Sequence, residues 1–203
     1  QGKPGRDLLV TVEVDLSGIA RMAEYFEEAP RIARQAASMA INQTADRVGV
    51  RQSRAAMLRQ TAFPAGYLND PERFGLRKSA NPADLEAIVS GRTRPTSLAR
   101  FAQWGAAREG ATVTVNPGAP KRIGRAFRVR LKNGNVGLAI RLREGEQVQN
   151  RKYPATIFQS GIALLYGPSV DQVFQDVRYE VAPIALDSLR DEFLRQYVRL
   201  SRT

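Results

Sequence analysis

Cysteine and histidine are both absent from the 203 residues. Without cysteine there is no disulfide framework, no thiolate nucleophile and no zinc–thiolate site. Without histidine the chain lacks the commonest general base at neutral pH and the commonest metal ligand. Aromatic residues make up only 7% of the chain. They are not interleaved with the basic residues, which argues against base-stacking recognition of single-stranded nucleic acid. No apolar run approaches the ~20 residues of a membrane-spanning helix, so no membrane role is expected. The opening QGKPGRDLLV has no signal-peptide pattern, and synthesis in a reducing cytoplasm is expected; the missing initiator Met leaves open whether residues precede Gln1. Acidic residues are the remaining shortage, 20 against 31 Lys and Arg, for a formal charge of +11.

That charge predicts attraction to nucleic acid, anionic lipid or an acidic protein surface, and carries no information about fold. A hydrophobic share of 43% with 25% charged residues is ordinary for a globular chain. The length suits a single domain over 1–203 with a real core.

The clearest local signal lies in Arg125–Arg143, RAFRVRLKNGNVGLAIRLR. Asn133-Gly134 between two alternating runs predicts a β-hairpin with a two-residue turn. That turn sets Leu131 opposite Val136, Val129 opposite Leu138 and Phe127 opposite Ile140, with all six apolar side chains on one face. Arg128, Arg130, Lys132, Arg141 and Arg143 then share the other face, with no carboxylate in the hairpin to neutralise them. Two readings stay open: a solvated edge protected by charge, or a basic surface facing a polyanion or an acidic partner.

Elsewhere, residues 8–15 alternate as a strand, and Ser17 can cap a helix carrying Ile19, Met22, Ala23 and Phe26. Pro30 suits the first turn of a second helix. There Ala33, Ala36, Ala37, Ala40, Ile41, Thr44, Ala45 and Val48 recur at helical spacing, and internal packing is the simpler use of such small residues. Gly49 can end that helix, with a further turn or two to Gln60, so helical structure is expected within 8–60. Residues 63–82, dense in Pro, Gly, Asn and Asp, read as loop with a short strand at 74–79. A sheet is expected across 85–166, with strands at 85–90 and 112–116 besides the hairpin and a polar loop over 144–152. Tyr166-Gly167-Pro168-Ser169 reads as a structural corner in which Gly-Pro stops a strand, Gly167 adopts positive φ, and Ser169 with Gln172 forms a capping box. The final helix, 169–200, carries Val170, Val173, Phe174, Val177 and Val181. Pro183 must kink or restart it, after which Leu186, Leu189, Phe193, Tyr197 and Leu200 make a second stripe. The fold class is α+β: an antiparallel sheet with a central hairpin, packed by a long N-terminal helical segment and a C-terminal helix.

Catalytic chemistry is hard to assemble from these residues. Glu144 and Glu146 sit in a polar loop, a poor place for a positioned acid–base pair. Asp84 and Glu86 would share one strand face and could begin a nuclease metal site, but no Lys follows at a suitable spacing. Ser160-Gly161 lacks the nucleophile-elbow frame and any histidine base. No Gly-rich stretch has phosphate-loop spacing, and no cofactor or metal is expected. What remains is sequence-independent attraction to phosphate, compatible with the wall of a channel around duplex DNA.

Four segments, in order, resemble the phage minor tail protein Z family, also called tail completion proteins: AASMAINQTADRV, LEAIVSGRTRPTSLARF, GRAFRVRLKNGNVGLAIRLR and IALLYGPSVDQVF. The resemblance spans residues 33 to the C-terminus; the N-terminal strand and the 144–152 insertion do not match. It implies a non-enzymatic structural protein of the virion, made in the host cytoplasm and placed where a long-tailed phage's tail joins its head. It further implies a homo-oligomeric ring, a hexamer by expectation, beside tail terminator or head-completion proteins, with non-specific contact to packaged DNA. The basic hairpin face would line the lumen or meet an acidic neighbour. The rivals from other classes are a free-standing DNA-binding protein and a cryptic metal nuclease.

Overall fold

The computed structural model describes residues 31–106, 109–148, 153 and 155–202. The strand and helix expected within 8–29 therefore lie outside the described residues. The fold is α+β, with helices and antiparallel sheet together. Contacts group the chain into two compact units, both discontinuous in sequence. One draws on Gln1–Arg51, Gly75–Ser90 and Glu180–Thr203, the other on Gln52–Phe74 and Gly91–Tyr179.

In the first unit, α1 (Arg31–Thr44) runs without a break into a π-helical stretch, Ala45–Gln52. Gly49 thus sits inside helical structure instead of ending it; α2 (Ser53–Gln60), next in the chain, belongs to the second unit. The alanine stripe is internal packing: Ala33, Ala36, Ala37 and Ala40 are buried. Leu85 and Phe193 pack against Ala33 and Ala37, a close approach that larger side chains would prevent. Asn42 fixes the turn after β1 (Phe74–Lys78) by donating to the Ala80 carbonyl at 2.8 Å and accepting from its N–H at 2.7 Å. β1 pairs with β2, which is Ile88–Gly91, shorter than the 85–90 strand expected.

The second unit holds two sheets. Its central strand, β10 (Ile162–Ser169), pairs antiparallel with β8 (Val136–Arg141) on one side. On the other it pairs with β3 (Pro95–Ser97) and β9 (Thr156–Ile157), and β7 (Phe127–Arg130) adds beyond β8. Leu138, Ala139, Ala163 and Leu164 are all buried. These are consecutive positions on neighbouring strands, so the centre of this sheet is covered on both faces. The smaller sheet is a meander of β4 (Ala102–Trp104), β5 (Ala111–Val113) and β6 (Lys121–Ile123).

The last helix, α3, spans Val170–Ser201 as one element through Pro183. It does not restart there, although proline has no N–H to give the carbonyl four residues earlier. The stripe Val170, Val173, Phe174, Val177 and Val181 is buried, as its spacing predicts. Phe174 meets the fully buried Phe74 edge-on, with centroids 5.0 Å apart. Beyond Pro183 the expected stripe holds only in part: Leu189, Phe193 and Leu200 are half-buried, whereas Leu186 and Tyr197 are exposed. Glu192 and Gln196 are buried, whereas Ile184, Leu186, Leu194, Tyr197 and Val198 are exposed.

Candidate polyanion-facing surface

The hairpin exists, but one residue out of the predicted register. Phe127 pairs with Ala139, Arg128 with Leu138, Val129 with Gly137 and Arg130 with Val136. The cause is the turn. Leu131 N–H bonds the Asn135 carbonyl at 2.8 Å and Gly134 N–H bonds the Leu131 carbonyl at 2.9 Å, so the loop has three residues, Lys132, Asn133 and Gly134. Gly134 takes the left-handed conformation, φ 79°, the arrangement of a type I turn closed by a glycine bulge. A one-residue slip exchanges faces. The six apolar residues therefore do not share a face: Phe127, Val129 and Leu131 fall on one, Val136, Leu138 and Ile140 on the other.

The cations divide in the same way. Arg128 and Arg130 lie on the face of Leu138, Arg141 and Arg143 fall on the opposite one, and Lys132 is in the turn. No single cationic face of five residues exists. Their surroundings differ as well. Arg128 stacks its guanidinium over the Trp104 ring, 4.8 Å from the centroid. Arg130, Lys132 and Arg141 are exposed and pair with no carboxylate among the described residues. The loop carboxylate Glu146 reaches back into this stretch. Arg125 Nη1 donates to it at 3.0 Å and the Arg143 N–H at 2.8 Å, and hydrogen bonding to Arg125, then to Arg143, lowers its pKa to about 2.

The corner also differs from its prediction. β10 runs through Gly167 and Pro168 to Ser169, with a register shift between Gly167 and Ser169. Proline is tolerated within a sheet at such a bulge because no ladder donor is needed there. Gly167 is absent from the left-handed region. It is small for another reason: a Cβ there would lie 3.2 Å from Phe101 Cε2 and 3.4 Å from Leu98 Cδ1. The capping box forms as predicted, with Gln172 N–H donating to Ser169 Oγ at 3.0 Å and Ser169 N–H to Gln172 Oε1 at 2.9 Å. Tyr166 lies opposite Ser97.

Asp84 and Glu86 do come together, on Lys78. Its ammonium bonds Asp84 Oδ2 at 2.7 Å and also reaches Glu86. The lysine that meets the pair precedes it in the chain, at the end of β1. Among the described residues no group of three or more metal-ligating acids, histidines or cysteines occurs.

One cluster was not foreseen. Arg73, Arg92 and Arg100 place their guanidinium carbons 4.3, 6.0 and 5.6 Å from the Tyr67 ring centroid. Tyr67 is held by stacking on Phe63 at 5.4 Å, and Phe63 also meets Phe101. Arg92 Nη2 donates to the Tyr67 hydroxyl at 2.7 Å, and Arg73 Nη1 to the Tyr67 carbonyl at 3.3 Å. Asp70 pairs with Arg73 at 3.2 Å. No carboxylate among the described residues pairs with Arg92 or Arg100, and Arg92 Nε is closed off from solvent without a partner. Sequence held one signal for it: residues 87–108 contain four arginines and no acid.

A cleft of about 1050 Å³ lies between the two sheets of this unit, lined by Val113, Val115, Ile123, Ile140 and Leu165 with Arg122 and Glu146 at its polar side. No helix among the described residues is long and apolar enough to cross a membrane. Comparison with family models, with curated proteins and with solved structures finds no match to this chain.

Proposed function

We propose that this chain is a non-enzymatic structural protein of a phage virion, of the tail completion type, assembling as a ring where tail meets head. The observation that carries the reading is the ordered set of four segments resembling that family. Two structural features support it. Ile184, Leu194 and Val198 are exposed and fall within about 80° of arc at 100° per residue, a stripe suited to contact between subunits. Arg130, Lys132 and Arg141 are exposed and pair with no carboxylate among the described residues, which leaves them available to packaged DNA or to an acidic neighbour such as a terminator or head-completion protein.

The test is complementation. A phage lacking this gene is supplied with the Arg130→Gln, Lys132→Gln, Arg141→Gln triple variant, and joined particles and infectious particles are counted separately. Joined particles with poorly retained DNA are expected. Failure to join would place these cations at a protein–protein contact. Immunogold microscopy of purified tails with no label at the head-proximal end would overturn the assignment altogether.

A further inference from the structure

The Tyr67 cluster has three guanidinium groups around a single ring and one carboxylate beside them. Like charges this close repel, and burial strengthens the repulsion. The cation–π contacts offset only part of it, each being a modest term at partly exposed sites. Arg92 is the sharpest case, with an Nε shut off from water and unbonded while its Nη2 is fixed on Tyr67. Folded proteins rarely leave such a charge without a counter-ion. Arg100 is exposed and Arg73 partly so, so an anion can approach from that side.

We infer that Tyr67, Arg73, Arg92 and Arg100 form a site for the phosphodiester backbone of nucleic acid. Guanidinium forks match phosphate oxygens in pairs. The Tyr67 ring is only 5% exposed and already stacked on Phe63, so it cannot take a base. Recognition is therefore of the backbone and independent of sequence. The inference rests on the preceding reading only for the identity of the polyanion as packaged DNA; the site itself is argued from its own geometry.

The full chain is titrated with a fluorescein-labelled 20-base-pair duplex of arbitrary sequence, and anisotropy is followed over a series of salt concentrations. Each phosphate contact contributes about 0.9 to the slope of log affinity against log salt. Arg100→Gln, at an exposed residue that holds no hydrogen bond among the described residues, should melt within a few degrees of the parent and flatten the slope by about one unit. Adding Arg92→Gln should flatten it by about two. An unchanged slope in Arg100→Gln overturns the site, as does absence of duplex binding by the parent protein. Binding of pyrophosphate but not of duplex overturns the assignment to a phosphodiester chain. A poly-glutamate peptide that binds as tightly, with the same loss in Arg100→Gln, overturns it in favour of an acidic protein. The two proposals separate cleanly: tails that contain the protein with an unchanged Arg100→Gln slope reject this site alone. A flattened slope with the protein absent from tails rejects the tail assignment alone.

Discussion

At the scale of single residues, what decides a side chain's role is the partner that folding brings to it. Arg128 and Arg130 are two apart on one strand, yet only Arg128 lies over Trp104. Arg128→Gln should destabilise the fold by ~0.5–1 kcal/mol, and Arg130→Gln should stay within about 0.5 kcal/mol of the parent; urea unfolding of the two variants compares them directly. Glu146 offers a pH test. Its folded pKa, about 2, lies below the ordinary 4.5. The ionised form is thus the one favoured by folding, and its stabilising contribution is present above pH ~4.5 and lost as pH falls toward 2. NMR titration of its carboxyl should show the depressed value, and Arg125→Gln should return it toward the ordinary range. Asp171 runs the other way: burial raises its pKa, against the pull of Gln175 and Arg178. Its charge opposes folding at neutral pH, and Asp171→Asn should raise the melting temperature at pH 7, with the gain fading as pH falls into the carboxylate range.

At the scale of elements, the junction between β10 and α3 separates two kinds of necessary glycine. A Cβ on Gly91 would lie 2.8 Å from the Asp171 N and 2.9 Å from its Cα, which are backbone atoms at the start of α3. A Cβ on Gly167 would meet the Phe101 ring, a side chain that can shift. Gly91→Ala should therefore cost more stability than Gly167→Ala, by melting temperature, although neither position needs positive φ. Ser169→Ala removes the capping box and should cost about 1 kcal/mol. Local chemistry of this kind was legible in sequence: the cap at Ser169, the buried stripe from Val170 to Val181, the alanine face of α1, the existence of the hairpin. Register was not, because Asn-Gly serves both a two-residue turn and the first part of a three-residue loop closed by a left-handed glycine. That single ambiguity moved Leu138 to the face of Arg128 and split the expected cationic surface. The Tyr67 cluster was illegible for a different reason. Its members are drawn from two 3-10 turns, at Tyr67 and Arg100, and from the chain flanking two strands, at Arg73 and Arg92, so no periodicity relates them.

At the scale of the whole molecule, Ile184, Leu194 and Val198 lie exposed along α3, where the proposed assembly would cover them. Leu194→Glu should leave thermal stability nearly unchanged and reduce self-association in sedimentation velocity; a large drop in stability would show that the stripe belongs to the core. The interleaving of the units has a consequence of its own for synthesis. The alanine face of α1 is completed by Phe193, which leaves the ribosome more than 150 residues after Ala37. At ~5–20 residues per second, that face waits on the order of ten seconds for its cover. A nascent chain of this kind holds α1 in escrow until α3 arrives, and ribosome-bound chains stopped before Glu180 should recruit holding chaperones that the released protein does not.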